Sequence, residues 1–133
     1  MFEIRIKEQR LTGIKTPEQL AAFVISSLGL SELRDDRDVR MLLAFMDHKE
    51  GLRVHELKKI AGLGQTATYA KIKKFVNAGL IYKGKGAIYR LKERTLKDTL
   101  EFRVKRDIDK ALSAIIDIAA ELDAKLINKG NKR

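Results

Sequence analysis

The chain has 133 residues, 44% hydrophobic and 35% charged, with 28 Lys and Arg against 18 Asp and Glu, a formal charge of +10. That length suits one compact domain with an appendage and buries a core without staples. The apolar share excludes a disordered chain, and no run approaches the ~18 uncharged apolar residues of a membrane span.

Cysteine is absent, which removes disulfides, thiolate metal sites and thiol nucleophiles. Two histidines are too few for a multi-histidine metal centre. Met1 to Lys7 mixes charged and apolar residues without an apolar h-region, so no secretory signal is expected and the protein reads as cytoplasmic. Three Asn, three Gln and one Pro beside abundant Lys, Arg and Glu resemble the usage of thermophile proteins.

Phe2, Ile4 and Ile6 alternate with Glu3, Arg5 and Lys7, a period of two that predicts a short strand broken at Thr12-Gly13. Thr16-Pro17-Glu18-Gln19 predicts a helix start: Thr16 as cap, Pro17 at the first helical position, Gln19 closing a capping box. Leu20, Phe23, Val24 and Leu28 form its apolar stripe, and Gly29 ends it. A second helix starts at Asp35 or Asp36, carries Val39, Leu42, Leu43 and Met46 at helical spacing, and ends at Glu50-Gly51. A third covers Val54 to Ala61 with Leu57, Ile60 and Ala61 inward, followed by a Gly62-Leu63-Gly64 turn.

A fourth helix is predicted over Gln65 to Ala78. Its inner face is Thr68, Ile72, Phe75 and Gly79, the last also its C-terminal cap. Leu80 to Lys83 and Ala87 to Lys92, joined by Gly84-Lys85-Gly86, predict a hairpin. From Glu93 to Lys129 one helical pattern of about 50 Å follows. In it Ile108, Leu112, Ile115, Ala119, Leu122 and Leu126 step by four, three, four, three and four, a heptad seam widened by Ile116 and Ile118. The chain is therefore expected to be mainly α with a small β-hairpin. It divides into an N-terminal strand and helix extension (1–33), a middle unit (34–92) and a C-terminal amphipathic dimerisation helix (93–133).

Charge is concentrated in the middle unit. Residues 34–91 hold thirteen basic and six acidic side chains, and between Glu56 and Glu93 there is no acid, where the chain average predicts about five. A protein so charged is drawn to polyanions.

Helix, short helix, glycine turn, helix and hairpin in this order resemble a winged helix-turn-helix. Residues 36–92 are similar to the DNA-binding domain of small winged-helix transcription regulators, the broad group with MarR-like, ArsR-like and many archaeal members. The resemblance rests on Leu57-Lys58-Lys59-Ile60-Ala61 before the turn, Thr66 to Phe75 after it, and Asn77-Ala78-Gly79-Leu80-Ile81 leading into the hairpin. The chain departs from MarR-like wings, which often carry an Asp-Arg pair, because its hairpin has no acid. It also lacks the cysteines with which some ArsR-like proteins sense metals.

The resemblance implies a helix in the major groove and a wing on the flanking backbone. Gln65, Thr66, Tyr69 and Lys73 are the candidate base contacts, since Gln pairs with adenine, Lys donates to guanine and Thr takes either role. Lys58, Lys59, Lys71, Lys74, Lys83, Lys85 and Arg90 are the candidate phosphate contacts. Tyr69 reads equally as a packing residue, and Lys74 also as a solvated lysine.

Other features read as structure. Gly84-Lys85-Gly86 lacks the Ser/Thr ending of a phosphate loop and leads into a strand. His48 and His55 sit at helix ends, and Asp35, Asp36 and Asp38 suit a helix N-terminus. No nucleophile–base pair has a local signature, so no catalysis, metal or cofactor is expected.

The leading expectation is a sequence-specific regulator of double-stranded DNA, homodimeric through the C-terminal helix, nucleoid-associated, with no membrane partner and no effector assigned. Two alternatives use the same residues: a sequence-neutral architectural or chromatin-type nucleic-acid-binding protein, and a winged-helix adaptor of the transcription machinery.

Overall fold

The structure is a computed structural model that describes residues 2–11, 13, 15–31 and 35–131, without the side chains of 128–131. Thr12 and the expected boundary at residues 33 and 34 lie outside the described residues. The described chain is mainly helical, with a two-stranded antiparallel hairpin and a long C-terminal helix. No described helix is long and apolar enough to cross a membrane.

Helix α1 spans Pro17–Ser27. Its capping box forms: Thr16 Oγ1 accepts from the Gln19 N–H at 3.2 Å, and Gln19 Oε1 accepts from the Thr16 N–H at 3.1 Å. The buried face differs from the predicted stripe. Ala21 and Ile25 are buried, Phe23, Val24 and Leu28 half-buried, and Leu20 exposed. Counting bulky side chains placed the stripe about one residue off, because the face against α2 includes a small alanine.

Helix α2, Asp36–Asp47, is capped by Asp35, which accepts from the Arg37 N–H at 2.9 Å. It ends at Asp47, earlier than the expected Glu50-Gly51, with His48 at its C-cap. Val39, Leu42, Met41, Ala44 and Phe45 are all buried, Leu43 is half-buried and Met46 exposed. The helix is wrapped on several sides, by α1, α3 and the hairpin, so one stripe could not describe it.

The chain then touches the hairpin. Leu52 and Tyr89 exchange two backbone hydrogen bonds of 2.8 Å. Helix α3 (Val54–Ala61) buries Leu57 and Ala61 and leaves Ile60 half-buried; α4 (Gln65–Asn77) buries Thr68, Ile72 and Phe75, as the spacing predicts. Strands β1 (Ile81–Gly84) and β2 (Ile88–Leu91) pair with Tyr82 opposite Arg90 and Lys83 opposite Tyr89. The loop is residues 85–87, one later than expected, and Ala87 takes a left-handed φ of 58° at its end.

The C-terminal helix begins later than predicted and is not uniformly α. Thr95 caps α5 (Leu96–Thr99) by accepting from the Asp98 N–H at 3.0 Å. A π-helical turn, Leu100–Val104, follows, in which the Lys105 N–H bonds the Leu100 carbonyl five residues back. Helix α6 runs on from Lys105–Asn131. Val104 is buried, and Leu96, Leu100 and Ile108 pack against the core.

The predicted strand at Phe2–Ile6 is not a strand. The segment is extended, but its N–H groups serve helix ends: Glu3 bonds Asn77 O at 2.6 Å, Arg5 bonds Leu28 O at 3.2 Å and Lys7 bonds Ser27 O at 2.7 Å. The period of two is real, and the partners are orphan carbonyls at the ends of α1 and α4. Gly29, at φ +71°, lets this strap pass: a Cβ there would overlap the Arg5 carbonyl. Residues of all three expected parts, from Ala21 and Ile25 through Phe45, Leu57 and Phe75 to Val104, share one buried core.

Candidate nucleic-acid interface

Helix α4 is fixed from below. Phe75 meets the Phe45 ring with centroids 5.9 Å apart, and Thr68 Oγ1 donates to Gly64 O at 2.8 Å. The turn before it is held by Gly62, whose left-handed φ of 67° caps α3. Arg40 holds it from α2: Nε donates to Ile60 O and Nη2 to Ala61 O, each at 3.1 Å. These two bonds close the carbonyl end of α3 and set the angle at which α4 leaves. Nothing in the local sequence around Arg40 announces that role.

With Thr68, Ile72 and Phe75 inward, Gln65, Thr66, Tyr69 and Lys73 are all exposed. The four candidate base contacts therefore share the solvent side of α4. Tyr69 is 44% exposed, half in contact with the protein and half available. Gly64 at the N-cap offers no side-chain acceptor and the first turn holds no acid, so the positive end of the helix is uncompensated.

Among the candidate phosphate contacts, Lys59, Lys74, Lys83 and Lys85 are exposed and Lys58 is half-buried. Lys71 is turned inward. Its Nζ lies 2.8 Å from Asp38 Oδ1 and 3.0 Å from Asp35 Oδ2, and its side chain is only 13% exposed. Burial opposes its charge, but hydrogen bonds to Asp38 and Asp35 more than offset this and raise its pKa above the ordinary lysine value. Asp35 is held well below the usual carboxylate range, first by its hydrogen bond to Arg37 and also by Lys71, against some desolvation. Lys71 is thus a clamp between α2 and α4 and leaves the phosphate set. Helical spacing missed it because position 71 borders the buried stripe, and the aspartates read as helix-start residues have this second task.

Arg90 is also committed in part. Its guanidinium lies 5.5 Å from the Tyr82 ring centroid across the hairpin, and its Nε–H is buried without a hydrogen-bond partner. The cross-strand pair stiffens the hairpin beneath Lys83 and Lys85. Tyr82, 38% exposed, was not among the expected site residues.

The expected dimerisation residues lie on solvent. Every residue from Asp109 to Ile127 is exposed, including Leu112, Ile115, Ala119, Leu122 and Leu126, while Ile108 is half-buried against the body. His48 Nδ1 lies 3.3 Å from Glu50 Oε1, His55 is exposed, and among the described residues no three possible metal-ligating side chains gather.

The chain matches no known family, no curated protein and no solved structure.

Proposed function

We propose that the protein is a sequence-specific double-stranded DNA-binding transcriptional regulator with a winged helix-turn-helix, acting as a homodimer. Helix α4 enters the major groove, the hairpin acts as a wing, and α6 joins two copies. The observation that carries this reading is that the segment from Gln65 through Lys92 exposes Gln65, Thr66, Tyr69, Lys73, Lys74, Lys83 and Lys85 and contains not one carboxylate. Short residues at the start of α4 (Thr66, Ala67, Ala70) let its backbone approach base edges, where Gln65 and Lys73 have the functional groups to discriminate. Two-fold pairing implies two related half-sites, about one helical turn apart or a multiple of it.

The test is selection of genomic fragments by the purified protein, followed by titration of a selected and a random duplex at two salt concentrations. Five committed lysines (Lys58, Lys59, Lys74, Lys83 and Lys85) correspond to a slope of roughly −4 to −5 in log K against log salt for each half-site. A selected site bound at least ~10³-fold tighter than random DNA supports the regulator. Thr66→Ala with Lys73→Ala removes that preference and leaves much of the random-duplex affinity. Equal affinity for both duplexes moves the reading to the architectural alternative. No binding at low salt moves it to the adaptor.

A further inference from the structure

Helix α6 stands clear of the body with an apolar stripe that nothing in the monomer covers. Leu112, Ile115, Ile116, Ile118, Leu122 and Leu126 are each 51–66% exposed. A monomer seldom leaves so continuous a patch in water. Beside its first turns lies an apolar groove, walled on one side by Phe2, Ile4 and Ile6 of the N-terminal strap and on the other by Ile108, Leu112 and Ile115. Ile6 is 59% exposed at its rim.

The order of the apolar residues is self-complementary when reversed. Around Asp117, Ile116 mirrors Ile118, Ile115 mirrors Ala119, Leu112 mirrors Leu122, and Ile108 mirrors Leu126. We propose that two copies pair through α6 in antiparallel register, with the two-fold axis beside Asp117, so that the distal end of each helix covers the strap-lined groove of the other. This rests on the homodimer reading and adds its direction, register and second contact surface.

In this register Ile108 meets Leu126 of the second copy, Leu112 meets Leu122, and Ile115 meets Ala119. The flanking positions then bring Ile116 against Ile116 and Ile118 against Ile118 at the axis. A parallel pair would instead set Ile118 against Asp123 and Ile116 against Ala111, placing a carboxylate on an isoleucine. The groove favours the same choice. It lies at the body end of α6, where the antiparallel register delivers Leu126 of the second copy. Seven side chains, Ile6 included, at roughly 100 Å² each give about 1,400 Å² over both copies, within the range of stable interfaces. The two bodies then sit at opposite ends of the rod, their Ile108 positions about 27 Å apart along it.

The register carries one unfavourable feature: Asp109 faces Asp123 of the second copy twice per dimer. The chain has no cysteine, so introduced thiols report geometry cleanly. Leu112→Cys and Leu122→Cys variants are refolded together, and each alone, under mild oxidation. The expected result is a disulfide-linked dimer containing one of each variant, with little product from either alone. A disulfide dimer of Leu112→Cys by itself, or no linked product at all from a protein that sediments as a dimer, overturns the register. Asp123→Lys is the second variant. It is expected to tighten dimerisation roughly three- to tenfold at low salt, because two like-charge pairs become ion pairs. An unchanged dissociation constant contradicts the antiparallel pairing. A wild-type protein monomeric at tens of micromolar overturns pairing altogether, while the duplex titration reads DNA binding separately.

Discussion

The inward lysine gives the sharpest check on how α4 is held. Lys71→Met leaves Asp38, with a side chain only 4% exposed, without the ammonium 2.8 Å away. Asp35 keeps Arg37 at 3.0 Å, so its loss is smaller. Removing one partner of a buried pair costs about 3 kcal/mol. Asp38→Leu alone leaves Lys71 with Asp35 at 3.0 Å and costs less, about 1–2 kcal/mol. The double variant removes both buried charges and should lie within about 1 kcal/mol of wild type, a coupling of roughly 3 kcal/mol. For a chain of this size each 1 kcal/mol is about 3–5 °C in melting temperature, so Lys71→Met should melt some 10 °C low and the double variant near wild type. Circular-dichroism melts and urea titrations of the four proteins complete the cycle. The same proteins, titrated with DNA well below their melting points, separate the clamp from the interface. Lys74→Ala should lower the salt slope by about 0.9, and Lys71→Met should leave it unchanged. Additive single effects below about 0.5 kcal/mol, or a slope that falls with Lys71→Met, would refute the clamp.

Two further expectations concern acidity and backbone. The depressed Asp35 contributes stability that is complete above its unfolded value of ~3.9 and drains away as pH falls below it. The raised Lys71 contributes stability that is complete below ~10.4 and is lost as pH climbs through its folded value. Melting temperature should therefore be flattest between about pH 5 and 10, and Lys71→Met should flatten the alkaline limb in a melting series across pH. Gly29→Ala meets both a positive φ and the Arg5 carbonyl, so it should cost about 2–4 kcal/mol and speed amide exchange at Arg5 and Lys7. Gly62→Ala has the same sign of φ with open space around it, and should cost only about 1 kcal/mol with the strap unaffected.

Local signals were legible wherever the determining atoms are neighbours in the chain. The Thr16 capping box, α3 to the residue, the inner face of α4 and the glycine at position 62 each follow from a few adjacent side chains. What the sequence hid is carried by contacts between distant segments. Arg40 acts on carbonyls twenty residues away, and Lys71 is claimed by aspartates more than thirty residues before it. The strap alternated like a strand but found helix ends as partners. In the candidate interface, the exposed positions of α4 followed from its period, whereas Arg90 stacking on Tyr82 required knowing the hairpin register, which the expected loop missed by one residue.

The π-helical turn at Leu100–Val104 has a geometric consequence for everything beyond it. Residues spaced by four drift around an ordinary α-helix, since a turn takes ~3.6 residues. One wider turn absorbs that drift, and Leu96, Leu100, Val104 and Ile108 stay on the side facing the body. Winding that turn back to regular α pitch at unchanged length would advance everything beyond it by about one residue's rotation, ~100°, about the rod's own axis. The rod would keep its composition and length, yet its oily edge would point away from Ile4 and Ile6. The phase of the rod is thus stored in one irregular turn, where a change of pitch too small to disturb folding would re-aim the protein's far end.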